Sequence, residues 1–381
     1  MNTINFSTRS EIKFNRSNTK VDGIHILGLD MGYSGPKCYH ENGNFVFPNF
    51  CKKITGELFG NLGRNDIVYE NLDTGDMYCV GDMAVKSLSD DTVVAEDAIF
   101  GRNHYLHADF KVVFEAALGV ALWDVDTDGS DVFLQTGLPP AYMKKDEQYL
   151  RMVVEGEHNF KLTIARETKE FHINLRKNMI DVMSQPMGSF NSLLFKDDGS
   201  YAPRAAELMK SNLLLFDNGF RTLDTFFIKA NQLESKDSNN TLGMHRVFDE
   251  TRKMISDELG AEIGIIAMQN ILKTGVVRVN DLATFSSREY EIADYLEAAN
   301  KKVCAEAIES IKDYIFDIKF LIMTGGTSDA WLDMFKEKLS FAPVEILTGK
   351  ENSNLPLIYQ NARGYYMYRL HKLQQELKSR K

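Results

Sequence analysis

Apolar positions along the chain fall into short unbroken runs separated by stripes at helical spacing. The first run, Ile24-His-Ile-Leu-Gly-Leu-Asp30, ends in an acid and a glycine-bearing turn. Residues 37–40 and 44–47 predict the next two strands around the turn Glu41-Asn-Gly43, and 67–70 and 77–80 predict two more. From His104 to Trp123, Leu106, Phe110, Val113, Phe114, Ala117, Leu118 and Ala121 mark one face of a helix. Residues 132–138 read as a buried strand closed by Pro139-Pro140, and 157–184 as a β-rich stretch. A second strand-turn-strand spans Leu213 to Ile228, followed by helical patterns near 243–258 and 261–273. The stripe Ile292, Leu296, Ala299, Val303 and Ile311 predicts a long helix from about Arg288 to Phe316. Residues 320–324 then form a strand feeding a glycine pair and a helix from Ser328, and a last helix starts near Leu355.

A strand-turn-strand unit thus recurs near the start and near the middle, with helices between, which points to two similar α/β domains. Residues 52–66 hold Gly56, Gly60 and Gly63 among charges and read as a mobile loop.

The 381 residues suit two domains of ordinary size, and 44% hydrophobic with 26% charged residues is a globular balance. A formal charge of −10 argues against a broad phosphate-binding face, so any role on DNA would run through a partner. Cys38, Cys51, Cys79 and Cys304 are scattered, with no spacing for zinc or a disulfide framework, and read as reduced thiols. No run approaches the roughly 18 apolar residues of a membrane span. Residues 1–23 are polar, with Arg9, Lys13, Arg16 and Lys20 interspersed; they lack the apolar stretch of a signal peptide and predict a flexible arm. A cytoplasmic location is the expectation.

Candidate chemistry lies in three glycine turns. In Leu27-Gly-Leu-Asp-Met-Gly-Tyr-Ser-Gly-Pro-Lys37, Gly32 and Gly35 leave backbone N–H groups open to phosphate oxygens. Asp30 suits a magnesium ion held through waters, and Lys37 a point charge on phosphates. In Leu213-Leu-Leu-Phe-Asp-Asn-Gly-Phe-Arg-Thr-Leu-Asp224 the separation of Asp217 and Asp224 is seven, equal to that of Asp30 and Lys37. Two such hairpins facing each other would clamp a triphosphate. The third turn, Thr324-Gly-Gly-Thr-Ser328, opens a helix whose N-terminus suits an α-phosphate or ribose.

In this order the three turns resemble the actin, sugar-kinase and heat-shock-chaperone ATPase superfamily. Within it, Gln135-Thr-Gly-Leu-Pro139, Ser184-Gln-Pro-Met-Gly188 and Asn361-Ala-Arg-Gly-Tyr-Tyr366 resemble the ParM-type plasmid-partition proteins, over roughly residues 24–370. The resemblance implies a two-domain actin-like (ribonuclease H-like) α/β fold with a central nucleotide cleft. Domain I would hold 24–184 plus 355–381, and domain II 185–354. It places Gly32, Tyr33, Ser34, Gly35 and Lys37, then Gly219, Phe220, Arg221 and Thr222, against the phosphates, and Gly325, Gly326 and Thr327 behind the adenosine. Glu250 and Lys253 would flank the adenine, or else form a solvated helix face. Gln185 would orient the attacking water and Asp217 polarise it, with Asp30, Asp217 and Asp224 near magnesium through water. ATP, or GTP, would drive head-to-tail filaments, and a small centromere-binding adaptor would connect them to DNA.

Two departures from the family pattern stand out. Phe220 and Arg221 occupy a turn usually made of small residues, and Pro36 lacks the N–H a phosphate would use. Two rival functions share the same turns: a small-molecule kinase, and a nucleotide-binding structural protein with weak hydrolysis. Asp124-Val-Asp-Thr-Asp-Gly-Ser130 imitates the opening of a calcium loop, but Gln135 stands where the bidentate glutamate belongs, so it reads as a solvated turn. His104 and His107 read as a helix start rather than a metal pair, and Tyr365, Tyr366 and Tyr368 as packing residues.

Overall fold

The structure, a computed structural model, describes residues 2–8, 10–14, 17–57, 61–87, 104–127, 129–141, 143–230, 232–265, 267–281 and 283–379. Gly60, Arg9, Arg16 and Asp128 of the sequence reading lie outside these residues. In chain order, β1 (Glu11–Lys13), β2 (Ile24–Gly32), β3 (Gly35–His40), β4 (Gly43–Val46), β5 (Cys51–Lys53), β6 (Ile67–Asn71) and β7 (Met77–Val80) lead to the short helix α1 (Asp82–Lys86). Then come α2 (Ala108–Ala121), β8 (Asp131–Leu138), α3 (Met143–Val154), β9 (Gly156–Ile164), β10 (Glu167–Leu175) and β11 (Ile180–Ser184). These strands form two sheets, ordered β1-β4-β3-β2-β8-β11 and β10-β9-β6-β7-β5, with α2 buried between them.

The second half runs α4 (Gln185–Leu194), α5 (Ala205–Lys210), β12 (Leu213–Asn218), β13 (Leu223–Lys229), β14 (Gln232–Asn239), α6 (Met244–Leu259), α7 (Met268–Thr274), β15 (Val276–Asp281), β16 (Ser286–Glu291), α8 (Ala293–Ser310), β17 (Phe320–Thr324), α9 (Ser328–Lys338), β18 (Glu345–Thr348) and α10 (Gln360–Ser379). Its main sheet is ordered β14-β13-β12-β17-β18. β12 is an unbroken apolar run up to its acid because both its faces are covered and both its edges are paired. β10, at a sheet edge, alternates instead, burying Phe171, Ile173 and Leu175.

The two halves share a core around α10, where Ile26 and Tyr39 meet Leu213, Leu215, Phe320 and Ile322. Close approach is possible because of glycines: a Cβ on Gly28 would sit 2.1 Å from Ala362 O, and one on Gly364 only 1.6 Å from Gly188 O. The Arg363 guanidinium, fully buried, donates to Ser192 O at 2.7 Å and Asp197 Oδ1 at 2.7 Å. Arg369 lies 3.7 Å over the Phe133 ring and pairs with Asp181. Tyr365 and Tyr366 are buried in this core, as the sequence predicts.

Several elements differ from the sequence expectation, among them the helical pattern near 261–273, of which Met268–Thr274 forms the helix. Residues 288–291 belong to β16, paired with β15, so the long helix begins at Ala293. His104 forms a buried 3-10 turn, and the helix proper starts after His107. The N-terminal arm, expected to be flexible, is laid onto the fold: Thr3 is buried, β1 pairs with β4, and Thr19 O accepts from Tyr366. Among the described residues, no helix is long and apolar enough to cross a membrane.

Candidate functional site

Strand ends assemble the site. In the β2–β3 hairpin Asp30 lies directly opposite Lys37, and Gly32 opposite Gly35. The β12–β13 hairpin repeats this with Asp217 opposite Asp224. The seven-residue separation in the sequence is therefore a cross-strand pair in both hairpins. β17 runs parallel to β12 with Thr324 beside Asp217, so the Gly325-Gly326 turn sits at the same sheet end. Gly325 takes a φ of +85, and a Cβ there would meet Asn218 O at 2.3 Å and Asp217 Oδ1 at 2.6 Å.

A cavity of about 850 Å³ opens between the three turns, within the size range of small-molecule sites. Asp30, Gly32, Tyr33, Ser34, Lys37, Gln185, Asp217, Gly219, Phe220, Arg221, Thr222, Asp224, Gly325, Gly326 and Thr327 line it. Gly35, Glu250 and Lys253 do not. A Cβ on Gly35 would meet Phe47 O at 1.9 Å, so that glycine serves packing under the hairpin. Glu250 is held by Arg246 at 2.6 Å and Lys302 at 2.8 Å, and Lys253 is exposed on the same helix.

Charge in the cavity is held out of water. Burial pulls the Lys37 ammonium below its ordinary value, opposed by Asp30 and Asp217, and its Nζ donates to Ser34 Oγ at 3.0 Å. Burial pushes Asp217 up to about 7, against the hydrogen bond from Asn361, and pushes Asp224 up to about 8, against bonds from Ser238 and Thr222. Asp224 Oδ1 is buried with no hydrogen-bond partner. Gln185 begins α4, where Pro186 fits the first turn, and its Nε2 donates to Asp30 Oδ1 at 2.9 Å.

The second turn accommodates its bulky residues. The Phe220 ring packs edge-on against Phe248 at 5.5 Å and His245 at 5.9 Å. Arg221 reaches across to within 5.8 Å of the Tyr33 ring of the first turn. Thr327 Oγ1 donates to Gly219 O at 2.9 Å and Thr327 N to Asn218 O at 3.2 Å, tying the second turn to the third.

One contributor escaped the sequence reading of the site. Asn361, on α10, donates from Nδ2 to Asp217 Oδ2 at 2.8 Å. Its Oδ1 accepts from Ser189 N at 3.1 Å and Ser189 Oγ at 2.5 Å, and Ser189 Oγ in turn meets Thr324 Oγ1 at 2.5 Å. Since the Ser189 proton goes to Asn361, Thr324 donates to Ser189. The motif containing Asn361 was legible; its link to an acid 144 positions away was not. Among the described residues, no group of three or more His, Cys, Asp or Glu stands close enough to hold a metal ion directly.

A family model described as the N-terminal domain of actin-like proteins matches residues 28–188. No curated protein matches the chain. Among solved structures, a non-polymerisable quadruple mutant of pCBH ParM is similar with a TM-score of 0.71 and 17% identity, covering 93% of this chain and 99% of that one. A 15-stranded ParM filament from Clostridium botulinum gives 0.67 and 17%, covering 91% and 99%. The archaeal actin homologue Ta0583 in complex with ADP gives 0.61 and 17%, covering 90% and 97%. Three glycine turns around one cavity, a first domain matched over residues 28–188 and a shared overall architecture agree: the chain has the two-domain α/β actin-like fold.

Proposed function

We propose that the chain is a ParM-type ATPase that binds ATP, or GTP, with magnesium in the central cavity, assembles head to tail into filaments, and moves plasmid DNA through a centromere-binding adaptor. The observation that carries this reading is the convergence of two hairpins, each with its seven-spaced pair in register, on one cavity. The similar ParM filament and the ADP complex of the archaeal homologue support it. Domain I comprises 24–184 plus 355–381, and domain II 185–354, with the cavity between them.

In this reading Lys37 meets the β- and γ-phosphates as a buried point charge, and Gly32, Ser34 and Gly219 let the backbone approach. Gln185, whose Nε2 bonds Asp30, orients the attacking water, and Asp217 accepts its proton. The unpartnered Asp224 Oδ1, with Asp30 and Asp217, fits a hydrated cation better than a directly ligated one. Asp30, Asp217 and Asp224 would hold magnesium through its waters, and the cation would offset phosphate charge and favour the ionised forms of these carboxyls. Nucleotide closes the cleft, and closure favours the subunit contact.

Phosphate release with ATP and magnesium tests the enzymatic part. The wild type releases phosphate, and Gln185→Ala loses about 100-fold or more in rate while still binding nucleotide. No release from the wild type at any protein concentration refutes the ATPase.

A further inference from the structure

Described residues of the N-terminal arm line the cavity. Its first turn, residues 3–6, docks on α7: Thr3 Oγ1 donates to Leu272 O at 2.8 Å, Thr8 N donates to Gln269 Oε1 at 2.8 Å, and Phe6 packs on the core beneath. A few residues later the chain is fastened to the other side. Ser10 N donates to Asp82 Oδ2 at 2.8 Å, Ser10 O accepts from Asn65 Nδ2 at 2.9 Å, and Glu11 opens the strand that pairs with β4. Asp82 also takes Lys273 at 2.7 Å, so one carboxylate joins the arm, α1 and α7. Between these anchors Asn5, Ser7, Thr8 and Ser10 line the same cavity as the two phosphate hairpins.

We infer that residues 2–8 and 10–11 form a third wall of the nucleotide site, a strap anchored on both sides of the cleft that holds a bound nucleoside triphosphate and sets the rate at which it leaves. The inference rests on the nucleotide-binding reading above. The physical reason is geometric. The strap lines the cavity together with the phosphate turns and presents hydroxyl and amide groups to it, so a ligand held by those turns is also enclosed by the strap. Departure therefore requires the Thr3 and Thr8 anchors on α7 to release, or the cleft to open with the strap attached to one side only.

The test is the release rate of a fluorescent N-methylanthraniloyl-ATP chased with excess ATP, in the full chain with magnesium. Two variants are compared with the wild type: deletion of residues 2–8, and the paired substitution Thr3→Ala with Gln269→Ala. Both leave the phosphate turns intact. Release is expected to quicken about tenfold or more in each, the factor that two lost hydrogen bonds amount to. If the deletion does not fold, the paired substitution decides alone. Binding with an unchanged release rate in the folded pair overturns the strap and leaves the nucleotide reading standing. Absence of binding by the wild type overturns both.

Discussion

Replacing Asn361 with leucine isolates what holds Asp217 in its working state. The substitution keeps the volume on α10 but deletes the donor to Asp217 Oδ2 and the acceptor for Ser189. A hydrogen bond to a charged group contributes about 1.5–3 kcal/mol, which is about 1–2 pKa units. Burial already pushes Asp217 up to about 7, and the Asn361 bond is the largest influence pulling it down. Without that bond the carboxyl titrates about 1–2 units higher. If Asp217 must be ionised to accept a proton, the acid limb of the hydrolysis profile moves up by the same amount. At neutral pH the rate falls by about 5- to 50-fold, and raising the pH recovers most of it. The assay is steady-state phosphate release across the pH range for wild type and variant, at saturating nucleotide. A rate lowered equally at every pH would refute the reasoning, because it would mean that Asn361 acts only through packing.

Other predictions follow from the same contacts. Gly364→Ala places a methyl 1.6 Å from Gly188 O, so α4 and α10 must separate; the cost is about 1–3 kcal/mol or more, seen as a fall of several degrees in the thermal midpoint, and an unchanged midpoint would show the crossing to be loose. Without nucleotide or metal, stability rises as pH falls from about 8.5 to 7. Asp217 and Asp224, with folded values of about 7 and 8 against an unfolded 3.8, bind protons in the native state first, with a slope on the order of 1 kcal/mol per pH unit. Thermal melts check this, and the window stops near 7 because His40, pushed down to about 4 from 6.5, acts in the opposite direction below that.

The parts of the fold that were legible are those where local chemistry and global position coincide. β2, β12 and β17 are buried apolar runs that end in an acid or a glycine pair, so both the strand and the site at its end could be read. The equal spacing of Asp30 to Lys37 and Asp217 to Asp224 expressed hairpin register, which depends only on turn length. Legibility failed where exposure removes the pattern. The β15–β16 hairpin is largely polar and exposed, so residues 288–291 read as part of the helical stripe that begins at Ile292. It failed again for contacts across the chain: Thr8 to Gln269 and Asn361 to Asp217 join positions with no shared local signal. Gly35 reads from the sequence as a phosphate contact because a glycine in such a turn can serve either a ligand or a tight packing contact, and only the position of Phe47 separates the two.

The most direct test of the account is nucleotide-dependent assembly, measured by right-angle light scattering with high-speed pelleting of the purified chain. Scattering that rises only with ATP or GTP and magnesium, above a critical concentration, and decays as phosphate is released is the predicted result. A flat trace across a wide concentration range, with nucleotide bound, would contradict the filament claim and favour a kinase-like use of the same cavity.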